Sequence, residues 1–364
     1  ALAPLPPTAI PESLARLRDA LRPGATTARL WPSLSRLDWV SALPNAAAPG
    51  FVYLAGSLDG IAVGGGGAET LEATARLAGE AAEVIAARAG GEASRLLGDP
   101  EIDALVRPAG EGGRVAGVDL ADGRALGVFL RPPDGAASTF GLGLAAGIDR
   151  EAARLAGLLE LIERDAVAAW WLDGRQPAGL APSVLAGAEA RLARLRDGAP
   201  VPRATAFLAL ASPVGVPVVC ALSWDAAGGG LAFGFKAALD APTAAAGATI
   251  ELLQMEIALE LARYRAARGA STADDLGVLR RAALDPGTFP CLTPTTAEPP
   301  GPRLSGLDEL VAHLGAGGRR TVAVDLAGPP GGLAVAKVLA TGLRPFPGAG
   351  AARHGAPGAV APLM

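Results

Sequence analysis

The chain has only two histidines and two cysteines among its 364 residues. His313 and His354 are too few for a histidine-rich metal centre. Cys220 and Cys291 stand far apart and offer neither a paired-cysteine zinc site nor a disulfide framework. Lysine is equally scarce, Lys236 and Lys337 being the whole supply. With a net charge of −4 and no long basic run, the chain lacks the concentrated positive surface that nucleic-acid backbones require. No apolar run is long enough to span a bilayer, and no charged, apolar, then small-residue leader opens the chain. The expectation is a cytoplasmic protein with no membrane and no nucleic-acid partner. Aromatic residues are only 4% of the chain, so the core must lean on aliphatic side chains.

What is abundant is the apolar helix carrying acids. Residues 157 to 171 read GLLELIERDAVAAWW, with Glu160 and Glu163 followed by Arg164 and Asp165. Residues 75 to 83, ARLAGEAAE, carry Glu80 and Glu83, and the run Ala-Arg-Leu-Ala-Gly recurs at 153 to 157. Residues 247 to 256, GATIELLQME, carry Glu251 and Gln254. Residues three apart on a helix share a face, about 5–6 Å apart at Cβ. Two carboxylates held that close repel each other, and burial raises the cost. One such pair is ordinary solvated surface. Two such pairs and an acid–amide pair, Glu251 and Gln254, all set among apolar neighbours, point to a cation, and oxygen ligands of this kind suit magnesium.

The length suits one large domain or two ordinary ones. Residues 11 to 22 read as an amphipathic helix, 28 to 43 as strand or extended chain, and 51 to 63 as strand, turn, strand. Gly64 to Gly67 then precede a helix from about Ala68 to Arg88. Such glycines form either a flexible loop or a backbone cradle for an anion. Residues 114 to 131 read as a hairpin around Ala-Asp-Gly. Residues 139 to 147, TFGLGLAAG, are a second glycine-rich segment, before a helix that Asp149 caps. Thr139, Gly141 and Gly143 either approach a ligand closely or make a tight connector. A helix over 182 to 197 and strands over 203 to 210, 216 to 224 and 231 to 238 come next. A helix from Thr243 to Arg268, a Pro- and Thr-rich loop over 284 to 303, one more helix and two strands follow. Helices and strands come in groups rather than in strict alternation, which gives an α+β (mixed α/β) domain.

Three acid-bearing helices in this order resemble the YcaO family. The strongest resemblance is GLLELIERDAVAAWW, preceded by Gly143-Leu-Ala-Ala-Gly147. Gly79, Glu80 and Glu83 resemble the family's first helix motif, and Glu251 and Gln254 its third. Val324-Asp325-Leu326 and Gly342-Leu343 are similar to its closing pattern. The resemblance runs from about Phe51 to Arg353. It implies a single YcaO-like catalytic domain over 51–355, an N-terminal helix and extended segment over 1–50, and a short tail over 356–364.

The resemblance implies ATP and Mg2+ as cofactors. It also implies a ribosomally made precursor peptide as substrate, in which a backbone amide oxygen is phosphorylated. A Cys, Ser or Thr side chain then closes a thiazoline or oxazoline, as in bacteriocin biosynthesis. On this footing Glu80, Glu83, Glu160, Glu163 and Glu251 are the metal candidates. Arg164 meets phosphate, Gln254 orients phosphate or a metal-bound water, and Asp165 fixes Arg164 or caps local structure. A separate leader-binding partner, ThiF-like or TfuA-type, and a homodimer are also implied. Departures from the family pattern are the absence of its Gly-Lys-Gly lysine at Gly64 to Gly67, a Gly-Leu-Gly loop at 141 to 143, and Val84 after Glu83. Lys236 is the candidate replacement if its strand points inward; Arg344 and Arg353 are further basic candidates. A backbone thioamide synthase and a degraded, peptide-binding scaffold are the alternative readings.

Overall fold

The computed structural model describes residues 14–15, 17–18, 24–89, 106–108, 115–128, 142–212, 214–288, 290–296 and 304–344. Most of the expected 11–22 helix, the candidates Thr139, Gly141, Arg353 and His354, and the 356–364 tail lie outside these residues. Three antiparallel sheets carry the fold. The first comprises β1 (Trp39–Leu43), β2 (Val52–Leu58) and β3 (Ile61–Gly67), in that order. Strands β4 (Val106–Pro108), β5 (Val115–Asp119), β6 (Ala125–Val128) and β7 (Leu144–Gly147) come next in the chain. A second sheet, in the order β10-β9-β8, comprises β8 (Arg203–Leu210), β9 (Val218–Asp225) and β10 (Ala232–Ala237). Strands β11 (Thr321–Leu326) and β12 (Ala334–Ala340) complete the largest sheet, ordered β4-β6-β5-β11-β12-β7. This is the α+β architecture that the sequence predicts.

The helices cover these sheets. They are α1 (Ala25–Leu34), α2 (Thr70–Ala89), α3 (Arg150–Asp173), α4 (Pro182–Leu195), α5 (Ala241–Ala267), α6 (Ala273–Ala282) and α7 (Leu307–Ala316). Helix α3 begins where the Asp149 side chain accepts the Ala152 N–H at 2.9 Å, and it stops at Gly174, whose φ of 68° is the left-handed stop favoured by glycine. Its far end buries Trp170 against Phe233 and Phe235, with ring centroids 6.0 and 5.9 Å away. The indole N–H of Trp170 donates to the Cys291 carbonyl at 2.8 Å, which satisfies its one polar atom in the core. The scarce aromatics are thus concentrated where α3 meets the second sheet, and this anchors the helix that carries Glu160, Glu163 and Arg164.

Four expectations change. Gly64 to Gly67 are not a loop: they are the second half of β3, paired with β2 from Ala55↔Gly64 to Val52↔Gly67. A Cβ on Gly65 would lie 2.2 Å from the Ala73 carbonyl oxygen and 2.3 Å from the Leu77 nitrogen, both backbone atoms of α2. The glycines therefore let α2 lie directly on the strand. Gly65→Ala is expected to destabilise the fold by about 1–3 kcal/mol, the usual cost of overpacking, read as a lower urea midpoint. Within 28 to 43, residues up to Leu34 are helical rather than extended, because buried Leu30, Ser33 and Leu34 follow helical spacing. Leu144–Gly147, read as part of a loop, is strand β7 against β12. Helix α6, which sequence reading leaves without an element, starts at a reciprocal cap between Thr272 and Asp275. The Pro- and Thr-rich stretch after it holds only short turns at Pro286–Thr288 and Pro290–Leu292 among the described residues.

Candidate active site: acids on three sheet edges

In an antiparallel sheet the outermost strand keeps a row of N–H groups without a strand partner. Strands β3, β7 and β10 are each outermost in their sheet among the described residues. Helices α2, α3 and α5 bridge these edges: α2 packs on β3 and β7, α3 on β7 and β10, and α5 on β10 and β3. Each helix lays its acids on the edge N–H groups. Glu80 accepts from Gly64, and Glu83 accepts from Ala146 at 3.0 Å. Glu160 accepts at 3.0 Å from Gly143, just before β7. On β10, Glu163 accepts from Ala237 at 3.1 Å and Glu251 from Phe235 at 3.3 Å. All five predicted metal candidates are thus held by the same device, at the junction of three sheets.

The junction is strongly perturbed. Burial pushes the Glu83 carboxyl up to about 8, and repulsion from Glu160 and Glu80 adds to it, against the opposing Ala146 N–H and Lys236. Burial also raises Glu80, Glu160 and Glu251. Burial works against the charge of Arg164, but Glu163, Glu160 and Glu251 outweigh it and hold the guanidinium above its usual pKa. Arg164 bonds Glu160 at 3.3 Å across one helical turn. Lys236 does point inward, its ammonium 3.5 Å from Glu251, and that carboxylate raises its pKa. Its stem runs over Gly247, where a Cβ would lie 2.5 Å from the lysine Cγ. The Lys236 side chain keeps 40% of its surface accessible and that of Glu251 31%, so the junction is a cleft rather than closed core.

The donors fit divalent cations. Five carboxyl groups share the cleft with Arg76, Arg164, Lys236 and Lys337, so the acids outnumber the cations. Among the described residues, Glu80, Glu83 and Glu163 each have one oxygen on a backbone N–H and the other without a hydrogen bond. No group of three His, Cys, Asp or Glu side chains among the described residues converges at ligating distance. An ion here would take one or two carboxylates and complete its shell with water and phosphate oxygens, which is the habit of magnesium.

The remaining candidates divide. Gln254 lies against β3, its Cγ 3.0 Å from where a Cβ on Gly66 would be. Gly143 has a φ of 72°, and a Cβ there would lie 2.4 Å from the Val338 carbonyl oxygen. Its close approach is therefore to β12, and its N–H is spent on Glu160. Asp165 does not fix Arg164: it accepts the backbone N–H of Arg344 at 2.8 Å. Arg344 in turn bonds Asp173 at 2.8 Å, away from the acids. Two basic residues of the cleft were given no role by sequence reading. Arg76 lies one turn before Glu80 on the same face of α2 and pairs with Glu72 at 3.2 Å. It also acts electrostatically on Glu251 and Lys236. Lys337 is only 4% exposed inside β12 and donates to the Leu142 carbonyl. A lysine in the middle of the apolar run LAVAKVLA was the available signal.

Comparison with known proteins gives a consistent picture. The family model described as YcaO cyclodehydratase, ATP- and Mg2+-binding, matches residues 115–344, a span that takes in Glu160, Glu163, Arg164 and Glu251 but not α2. A search of the curated proteins gives no match. Among solved structures, a heterocyclase in complex with substrate and cofactor is similar with a TM-score of 0.65 and 18% identity over 93% of this chain. The chain spans about half of that heterocyclase's length, 54%. YcaO from Methanopyrus kandleri, bound with AMPPCP and Mg2+, gives 0.61 and 21% identity, covering 93% of this chain and 91% of the other. A chain of the E. coli microcin synthetase McbBCD complex gives 0.55 and 12%, covering 82% and 86%. At these identities the structural likenesses speak for the fold. The family match covers more than half of the chain, which belongs to the YcaO family, with ATP and Mg2+ as its cofactors.

Proposed function

We propose that this protein is an ATP- and Mg2+-dependent cyclodehydratase that forms thiazoline or oxazoline rings at Cys, Ser or Thr of a ribosomally made precursor peptide. The observation that carries the proposal is the gathering of five carboxylates in the cleft that Arg164 shares, with one oxygen each of Glu80, Glu83 and Glu163 free of hydrogen bonds among the described residues. An amide oxygen is a poor leaving group; ATP supplies the phosphoryl group that makes it a good one, and magnesium offsets the accumulating charge. The residues of the chain position groups and neutralise charge, which is the main work in phosphoryl transfer. Glu80, Glu83, Glu160, Glu163 and Glu251 hold the metal. Arg164, permanently charged and forked, meets phosphate oxygens, with Lys236 and Gln254 beside it. Glu160 bonds the Arg164 guanidinium at 3.3 Å, and the charges of Glu163 and Glu251 favour its cationic form. Support for a peptide substrate and a separate leader-binding chain comes from the neighbours, one a heterocyclase with substrate and one a synthetase complex. A homodimer is part of the same reading.

The test is a peptide assay with ATP, magnesium, and whatever short precursor peptides and partner proteins neighbouring genes are found to encode. The expected product has lost one water per ring by mass spectrometry. An oxygen-to-sulfur exchange when sulfide is supplied would replace this reading with thioamide formation. A peptide that binds but stays unmodified, with no ATP consumed, would leave only the scaffold reading.

A further inference from the structure

One peptide group in the cleft is held from both ends. The Lys337 ammonium donates to the Leu142 carbonyl oxygen. The N–H of that same peptide unit belongs to Gly143, and it donates to Glu160 at 3.0 Å. The chain of contacts runs from a buried cation through one amide to a half-buried carboxylate. The Gly143 carbonyl is fixed too, accepting the Val338 N–H at 2.8 Å. The segment cannot sink further into the fold, because helix α3 presses on it at Gly157, where a Cβ would lie 2.6 Å from the Gly143 oxygen. Gly143 itself sits at a φ of 72°, which permits the sharp turn that points its N–H at the helix. Lys337 has no carboxylate within salt-bridge distance among the described residues, although Glu160 acts on it electrostatically. An ammonium buried beside a carbonyl instead of an acid is costly unless its placement serves something else.

We propose that Lys337 is a positioning residue for the metal site: it fixes the Leu142–Gly143 peptide so that the amide N–H holds one oxygen of Glu160. A cation at one end of an amide and a carboxylate at the other polarise it in the same sense, which strengthens both hydrogen bonds. Without the lysine the peptide loses its hold at the carbonyl end, its N–H is less firmly aimed at Glu160, and the distance between Glu160 and its neighbouring acids is less tightly set. The metal arm of this inference rests on the proposed function; the peptide arm does not.

The experiment compares wild type with Lys337→Met, Lys337→Arg and Glu160→Gln. Hydrogen exchange of the Gly143 amide is followed in metal-free protein, and Mg2+-dependent ATP binding is followed by calorimetry. Lys337→Met is expected to speed Gly143 exchange at least tenfold and to weaken Mg2+-dependent binding about tenfold, as loss of a supporting contact does at metal sites. Its melting temperature is expected to hold or rise, since the substitution removes a buried charge. A residue that matters only for packing would give the reverse, a lower melting temperature with affinity kept. Lys337→Arg is expected to restore part of both protections. Glu160→Gln probes the same peptide from its other end without altering the lysine: it keeps an acceptor oxygen but gives up the charge that strengthens the bond, and it is expected to speed Gly143 exchange by less than Lys337→Met does. Unchanged exchange in both Lys337→Met and Glu160→Gln would overturn the proposal. Faster exchange with unchanged Mg2+-dependent binding would overturn it equally. If wild type itself binds no Mg2+–ATP, the functional reading fails, and faster exchange in the two variants still establishes the peptide clamp.

Discussion

Glu163→Gln is expected to abolish Mg2+-dependent ATP binding while the protein stays folded. Glu163 is 3% exposed and stands at the centre of the acids, acting on Glu160, Glu251 and Arg164 at once. Glutamine keeps the volume and an oxygen for the Ala237 N–H but gives up the charge that a hard cation needs. The loss is expected to exceed the roughly 10–100-fold that removal of a mere supporting contact costs at a metal site. Stability should not fall. Glu163 is one of the groups that push Glu160 and Glu251 upward, so its neutralisation relieves repulsion. Arg164 keeps Glu160 as its bonded partner. Calorimetry with ATP and magnesium, alongside a melting curve, reads both halves. Retained binding by Glu163→Gln would move the metal site elsewhere; binding lost together with the fold would show that the acid is structural.

The second large effect is on stability against pH. The metal-free protein is expected to weaken as pH rises from about 5 to 8. The Glu83 carboxyl titrates at about 8 in the fold against an ordinary 4.5. Between those values the folded chain keeps a proton that the unfolded chain has released, so unfolding is favoured as pH rises. Glu80, Glu160 and Glu251 are shifted the same way and add to the slope. Above pH 8 the fall should slacken. Burial lowers Lys337 to about 8 from 10.5, so there the unfolded chain holds an extra proton, while Cys220 and Cys291, both pushed up from 9.0 by burial, act in the opposite sense from about pH 9. Each pKa unit corresponds to about 1.4 kcal/mol, reduced here because the cleft is partly open to water. Mg2+ with ATP favours the ionised acids and should flatten the fall between pH 5 and 8. Asp275 does not confuse the experiment: its hydrogen bonds from Arg265 hold it well below the usual range, so it stays ionised throughout. Urea midpoints from pH 5 to 10, with and without Mg2+–ATP, give the result. A midpoint that climbs steadily from pH 5 to 8 without metal would contradict the burial of these carboxyls.

The candidate site was legible in the sequence because its acids are local patterns. Glu160 and Glu163, or Glu80 and Glu83, fall on one helix face by spacing alone, and their apolar neighbours betray burial. The strands over 203 to 210 and 216 to 224 were legible for the same reason, since their side chains alone mark them. The backbone partners were not legible. Nothing in the letters Gly64 to Gly67 distinguishes a loop from a strand flattened under a helix, because glycine has no side chain to report its surroundings. Likewise Asp165 stands next to Arg164 in sequence, but consecutive residues on a helix point apart, and its partner Arg344 comes from the far end of the described chain. Lys337 and Arg76 carry no motif. Their importance lies in what tertiary packing brings to them, the Leu142 carbonyl for one and the charges of Glu251 and Lys236 for the other.

The seating of five acids on the rims of three sheets has a consequence for solubility. A bare rim strand is a template on which another chain can add itself, and proteins ordinarily guard such rims with charge. Here the guards and the candidate metal ligands are the same side chains. Neutralising several of them together would do more than empty the cleft. It would weaken the acceptors that hold the amides of Gly64, Ala146, Phe235 and Ala237, and leave the packing of α2, α3 and α5 on these rims as the remaining guard against self-association.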